Sequence, residues 1–303
     1  MTAALYFLTV AIWGTTWIAL KWQLGPVPIP LSIVYRFALA ALVLFAVLAL
    51  SGRLRRPKDG AMTLIAAQGI CLFCLNFICF LHASRYIPSG LVAVLFSTAT
   101  VWNAINGRLF LKRPISAQVV AGGTVGMLGL ALLFWPELAH ASGQSGAWLG
   151  LLLGLAGTLC FSAGNMLSAR LQAAGHTPLV TNAWGMLFGA MVLLAVHAAS
   201  GGDWVFDTSA RYVGALLYLA IPGSVIGFTA YLMLVGRLGP ERAAYCTVLF
   251  PVVALNVSAL FEGYQWTPLA GAGLVFVMLG NALVFRKPRT AAGGRAAADR
   301  PPV

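Results

Sequence analysis

Asn76, His82, Thr98, Trp102, Asn103, Asn106, Asn165, Tyr231, Tyr245 and Asn256 each interrupt an otherwise apolar run. Polar side chains in such runs need a partner or a water-lined cavity, which makes each a candidate for chemistry. Asn and Tyr offer neutral donors and acceptors, suited to holding an ammonium and a carboxylate without burying a net charge. Trp17, Trp102 and Phe161 add aromatic faces of the kind that wall a planar ligand. The plainer account of each Asn is an interhelical hydrogen bond, worth about 0.6 kcal/mol on average. For the tryptophans it is core packing or an interfacial belt, and Trp22, Trp148, Trp204 and Trp266, at run ends or in gaps, fit the belt.

The ionisable residues carry sharper alternatives. Arg36 lies about two turns into its run, where a central Arg costs about 2.5–3.5 kcal/mol on insertion scales. It either anchors structure through carbonyls or lipid phosphate, or binds a substrate carboxylate. Histidine is the side-chain type that changes charge near neutral pH, so His82 is a candidate to couple a proton, or it can sit exposed at an outer mouth one turn from Arg85. Glu262 closes another run and is a second candidate for coupling or gating. Pro251, inside a run, removes a backbone hydrogen bond and suits gating; Pro222 reads as a kink. Cys71 and Cys74 form a C-x-x-C with no second pair and no adjacent His, so small buried residues are the reading. No metal and no cofactor is expected. Intramembrane hydrolysis would need a Ser–His pair, paired aspartates or H-E-x-x-H, and a primary pump a G-x-x-x-x-G-K-[ST]; no run contains an Asp and neither motif occurs.

The elements that position these residues follow from composition. Of 303 residues, 60% are hydrophobic and 9% charged, against about a quarter charged in a soluble domain. That apolar excess cannot be hidden inside a globule of this length, so lipid must cover it. A helix crosses the hydrocarbon with about 20 apolar residues. Breaks rich in Gly, Pro and charge give spans over residues 3–22, 31–50, 61–83, 89–111, 116–135, 147–169, 179–198, 212–235, 242–261 and 269–286. The first run has no basic leader, is long enough to span and is followed by more spans, so no cleavable signal peptide is expected. Residues 290–303, rich in Ala, Gly and Pro, read as a disordered tail. The net charge of +12 sits in short gaps and forms no stripe, which disfavours nucleic acid. With a cytoplasmic N-terminus, one side holds Arg53, Arg55, Arg56, Lys58, Arg108, Lys112, Arg113, Arg170, Arg237, Arg242 and the basic tail; the other holds Lys21, Arg85 and Arg211. That asymmetry places both termini inside.

An internal repeat runs through the chain. Trp13-Gly14 and Pro30-Leu31 match Phe161-Ser162 and Pro178-Leu179 at one offset; Arg85, Pro88 and Ala93 fall opposite Arg237, Pro240 and Tyr245; Gly122, Gly129 and Phe134 fall opposite Gly273, Gly280 and Phe285. Five spans per half is odd, so the second half must be inverted, which puts a substrate site at the shared interface near the midplane. Gly150, Gly154, Gly157 and Gly164, and Gly122, Gly126 and Gly129, form small-residue faces for close helix packing. The fold expected is an all-α integral membrane protein of ten transmembrane helices in two inverted five-helix repeats, 3–135 and 147–286.

Ala-Ile-Trp-Gly-Thr-Thr-Trp-Ile-Ala-Leu-Lys at 11–21, Tyr-Arg-Phe at 35–37, Cys-Phe-Ser-Ala-Gly-Asn at 160–165 and the stretch 226–262 with Gly239, Arg242-Ala243, Phe250-Pro251-Val252 and Glu262 resemble the EamA-type branch of the drug/metabolite transporter superfamily. The resemblance spans roughly 3–286. Thr100 stands where the family's fourth helix has a proline, and Leu111-Lys112 where it has a glutamate. The resemblance implies two inverted repeats and secondary transport, most often export, of small metabolites. The aromatic and amide side chains at mid-membrane depth are also similar to those of YddG-type aromatic amino-acid exporters. The expected protein is thus an inner-membrane exporter of aromatic or other apolar amino acids working by alternating access, a monomer or homodimer in contact with lipid. The open alternatives are export of cationic drugs or nucleoside-like metabolites, and a channel-like pore. The expected substrate-binding residues are Trp17, Asn76, His82, Thr98, Trp102, Asn103, Phe161, Asn165, Tyr231 and Tyr245, with Arg36, Pro251 and Glu262 gating or structural.

Overall fold

A computed structural model describes residues 2–57, 60–112, 114–139 and 146–285, so the tail 290–303 lies outside the described residues. Among the described residues every regular element is helical. The apolar runs form α1 (Thr2–Trp22), α2 (Ile29–Leu50), α3 (Ala61–Tyr86), α4 (Ser89–Phe96 and Ala99–Leu111), α5 (Ala117–Ala139), α6 (Ala147–Ala173), α7 (Pro178–Ala199) and α8 (Ala210–Leu238). They are followed by α9 (Pro240–Ala243, a 3-10 turn Ala244–Val248, and Phe250–Phe261) and α10 (Pro268–Phe285). Eight of these are long and apolar enough to cross a membrane, while Phe250–Phe261 and Pro268–Leu283 are shorter apolar helices. Proline opens α7 and lies in the first turn of α2, where its missing N–H has no intrahelical acceptor to lose. Gly239, at φ 83°, takes the left-handed turn that lets α9 begin directly after α8.

Four helices depart from regular α geometry. A π-helical segment runs through Ile70–Leu75 in α3 and another through Leu219–Ile226 in α8, the latter holding Pro222. α4 breaks between Phe96 and Ala99, and α9 carries its 3-10 turn just before Phe250. Pro251 therefore sits in the first turn of Phe250–Phe261 rather than in a helix interior. It costs no backbone hydrogen bond there, which corrects the expectation of a mid-helix proline.

The packing is pairwise. α5 packs on α10, α2 on α7 and α4 on α9; α1 packs on α8 and α9, α3 on α6 and α7, α6 also on α4, and α2 also on α8. Replacing each helix by the one five places further on returns this same set of neighbours. Small residues make the closest approaches. A Cβ on Gly129 would lie 2.6 Å from the Gly273 carbonyl oxygen, and one on Gly69 would lie 2.2 Å from that of Gly185. The α6 glycines receive larger side chains: Gly150 faces Ile87, Gly154 faces Leu95, Gly157 faces Phe80 and Gly164 faces Leu72. The core sits where α1, α3, α4, α6, α8 and α9 converge, and it is aromatic.

Candidate functional site

Trp13 on α1 stands at the centre of that core. Its ring lies 6.1 Å from Phe96, 6.0 Å from Phe161, 4.8 Å from Phe228, 5.0 Å from Tyr231 and 6.0 Å from Phe250, mostly edge to face. Its indole Nε1 donates to the Gly223 carbonyl at 3.0 Å. That carbonyl belongs to the π-helical segment of α8, one residue beyond Pro222, where the regular ladder is interrupted. A kink alone was expected of Pro222; the segment around it also presents an acceptor to α1.

Beside Trp13 lies a cavity of about 30 Å³. It is lined by Trp13, Thr16, Trp17 and Leu20 of α1, Arg36 of α2, Asn76, Phe77 and Phe80 of α3, Phe96 of α4, Phe161 of α6 and Phe228 of α8. It has room for about a water or two, against roughly 300–1,000 Å³ for sites that enclose a drug-sized ligand. Three of its lining side chains keep a polar atom without a hydrogen-bond partner: Trp17 Nε1, Arg36 Nη1 and Asn76 Oδ1. Their residues are only 5%, 3% and 1% exposed. Arg36 is otherwise held firmly. Its Nε donates to Ser224 Oγ at 2.9 Å, Ser224 donates on to the Leu219 carbonyl at 2.8 Å, and the guanidinium lies 4.3 Å from the Phe77 ring centre and 4.9 Å from that of Phe37. Among the described residues no Asp or Glu lines the cavity.

Of the residues singled out in the sequence, the fold brings Trp17, Arg36, Asn76 and Phe161 to this cavity. Tyr231 is fully buried against Trp13 and Phe161 and accepts a 3.0 Å hydrogen bond from Asn165 Nδ2. Asn103 Nδ2 donates to the Pro240 carbonyl at 3.0 Å, and Asn106 Nδ2 to Ser162 Oγ at 2.9 Å. These amides tie α6 to α8, α4 to α9 and α4 to α6, although Oδ1 of Asn103 and of Asn165 remains without a partner. Thr98 closes on its own helix through Leu95 O at 2.6 Å, at the break in α4. Thr100 instead reaches across to Asn281 Oδ1 at 2.7 Å, joining α4 to α10. His82 and Trp102 are half-buried and absent from the cavity wall, and Asn256 is exposed and bonds back to Val252 O. The side chain of Tyr245 lies outside the described residues. Trp13, Thr16, Phe77, Phe80, Phe96 and Phe228 were not singled out as ligand-facing. Trp13 was within reach, because the internal repeat sets it opposite Phe161.

A second polar cluster closes one end of the bundle. Glu262, at the end of α9, accepts from Ser89 N at 3.1 Å, from the Ser89 hydroxyl and from Ser258 Oγ at 2.7 Å. Lys21 Nζ lies 3.9 Å from the same carboxylate and also donates to the Ser84 carbonyl. One carboxylate and one ammonium thus fasten the ends of α1, α3, α4 and α9. Among the described residues no group of three His, Cys, Asp or Glu side chains could hold a metal ion.

The model of the EamA-like transporter family matches residues 1–135 and 148–286. The probable amino-acid metabolite efflux pump of Salmonella typhimurium LT2 is 26% identical over 298 residues, covering 95% of this chain and 96% of its own length. The uncharacterized inner membrane transporter YedA of Escherichia coli K12 is 26% identical over 93% of this chain and 92% of its own. Protein PagO of Salmonella typhimurium LT2 is 25% identical over 86% of this chain and 84% of its own. A solved crystal structure superposes with a TM-score of 0.68 at 16% identity, covering 94% of this chain and 96% of its own, a likeness of fold.

Proposed function

The chain belongs to the EamA-like transporter family, a membership that makes it a multi-pass membrane transporter rather than an enzyme, and from that premise we propose that it exports small metabolites by alternating access, aromatic or other apolar amino acids first among them. The observation that carries this reading is the aromatic cavity in which Trp17, Arg36 and Asn76 keep unpartnered polar atoms among buried rings. Groups of that kind are costly to leave unmade and are accounted for by a ligand that completes them. The wall draws on α1, α2, α3 and α4 from one half and α6 and α8 from the other, the interface at which rocking halves expose a site alternately.

In this reading the protein has ten membrane-spanning helices in two inverted repeats, 3–135 and 147–286, with both termini cytoplasmic in the inner membrane. Three features support it: the neighbour set that survives exchange of the halves, the π-helical segments at corresponding places in α3 and α8, and the breaks at corresponding places in α4 and α9. The small cavity is then the occluded state of the cycle, and opening requires the rings around Trp13 to separate. Two expected alternatives lose ground. A cationic drug would meet Arg36 with no acid among the described lining residues to offset it, and a pore would need more than a cavity of about 30 Å³.

Proteoliposomes loaded with an unlabelled amino-acid panel, with and without an imposed pH gradient, test the proposal. Saturable uptake of labelled phenylalanine or leucine that accelerates when the trans side is loaded is the expected result. An unsaturable conductance would remove the carrier reading.

A further inference from the structure

We propose that the cavity selects its ligand by a carboxylate, held between Arg36 and Trp17, and discriminates against cations. The inference rests on the carrier reading but names what the site recognises.

Arg36 places a guanidinium in the buried core with one edge bonded to Ser224 and Nη1 without an acceptor. A buried cation is ordinarily paired, because stripping its hydration is otherwise uncompensated. Among the described residues no lining side chain supplies the counter-charge. Glu262 is occupied by Ser89, Ser258 and Lys21 at the end of the bundle. The missing negative charge therefore arrives with the ligand. Trp17, whose side chain lines the same cavity, carries a second unpartnered donor in its buried Nε1. Two donors, one of them charged, are what the two oxygens of a carboxylate accept.

The remaining wall defines the rest of the molecule. Phe77, Phe80, Phe96, Phe161 and Phe228 offer ring faces and edges to a planar or branched apolar tail. Asn76 also lines the cavity, and among the described lining residues its buried Oδ1 is the unpartnered acceptor that a ligand N–H or O–H would complete. A monoanion neutralises Arg36 outright. A zwitterion does so while bringing an ammonium to a single neutral acceptor and the ring faces. A cation adds a second positive charge to an environment of low dielectric, where like charges repel strongly.

The test uses three ligands that share one phenyl ring and differ in charge: 3-phenylpropionate, phenylalanine and phenethylamine. Binding to the purified full-length protein in detergent is read by tryptophan fluorescence and by thermal shift. The expected order is the acid first, phenylalanine between, and the amine at least about tenfold weaker than the acid, a tenfold step being about 1.4 kcal/mol. Arg36→Gln should abolish the preference for the acid, and Trp17→Phe, which keeps the ring plane and removes the donor, should weaken acid binding severalfold. If Arg36→Gln does not fold, the charge series on the unaltered protein decides alone. Amine binding equal to or tighter than acid binding, or no saturable binding of the acid, overturns the proposal. Saturable counterflow of an amine in proteoliposomes would overturn the carboxylate assignment and leave the carrier standing, whereas an unsaturable conductance would remove the carrier itself.

Discussion

Asn165 and Tyr231 show that buried polar residues of the same type differ in where the fold puts them. Their mutual hydrogen bond of 3.0 Å spans α6 and α8, and both are fully buried. Asn76 is equally buried and, like Asn165, has an unbonded carbonyl oxygen, but its side chain lines the cavity and that of Asn165 is not among the described lining residues. We expect a double-mutant cycle on Asn165→Ala and Tyr231→Phe to return a coupling of about 0.6 kcal/mol in detergent stability, typical of interhelical bonds in membrane proteins. Asn76→Ala, by contrast, should lower ligand affinity with a smaller change in melting temperature. Equal losses of stability in the two experiments would show that Asn76 too is a packing residue. Which Asn plays which part was not legible from the chain, because an amide in an apolar run looks the same whether its partner is a neighbouring helix or a ligand. Arg36 was legible as a choice between anchor and site; the fold places its side chain on the cavity wall with Nη1 buried and unbonded, which is the basis of the carboxylate proposal.

At the scale of elements, the glycines set how closely helices approach. The backbone of α3 meets that of α7 where Gly69 faces Gly185, and a Cβ there would fall 2.2 Å from a carbonyl oxygen. Backbone cannot yield as a flexible side chain can, so Gly69→Val must push the helices apart. We expect a loss of about 1–3 kcal/mol or more from overpacking, read as a lowered melting temperature and reduced yield of monodisperse protein. Gly126→Ala is the matched control, because nothing lies within 4 Å of the added Cβ, and it should leave melting within a degree or two. The sequence marked the small-residue faces correctly as packing surfaces, but only the folded bundle pairs α5 with α10 and α3 with α7. The irregular turns were the harder feature. A break in α4 with no proline at Thr98 or Thr100 has no strong local signal, and it becomes visible only where Thr100 bonds to Asn281 on another helix.

For the whole molecule, Lys21 and Glu262 couple helix ends that must separate if the bundle opens at that end. The pair is partly exposed, so its worth lies in the four helices it joins more than in its Coulomb energy. Glu262→Gln keeps the shape and removes the charge. In a background with the five cysteines replaced, we expect Glu262→Gln to raise severalfold the rate at which a Leu20→Cys thiol on the cavity wall reacts with a membrane-impermeant maleimide added outside. An unchanged rate would mean that this cluster does not hold that end closed. The same experiment run on inside-out vesicles reports which end is fastened, and so tests the orientation read from the basic loops.

Hydropathy by itself determined that this chain lives in lipid and roughly where its helices lie, because the cost of exposing or burying a whole run scales with its composition and needs no knowledge of neighbours. The charge asymmetry and the collinear repeat likewise belong to the chain alone. The cavity does not: Trp13, Phe80, Phe161 and Phe228 come from four helices far apart in sequence, and only packing decides that their rings meet. Packing also decides which buried polar atoms find partners and which, as on the cavity-lining Trp17, Arg36 and Asn76, are left without one. A hydrogen bond is a relation between two groups in space, and one chain read end to end lists the groups without the relation.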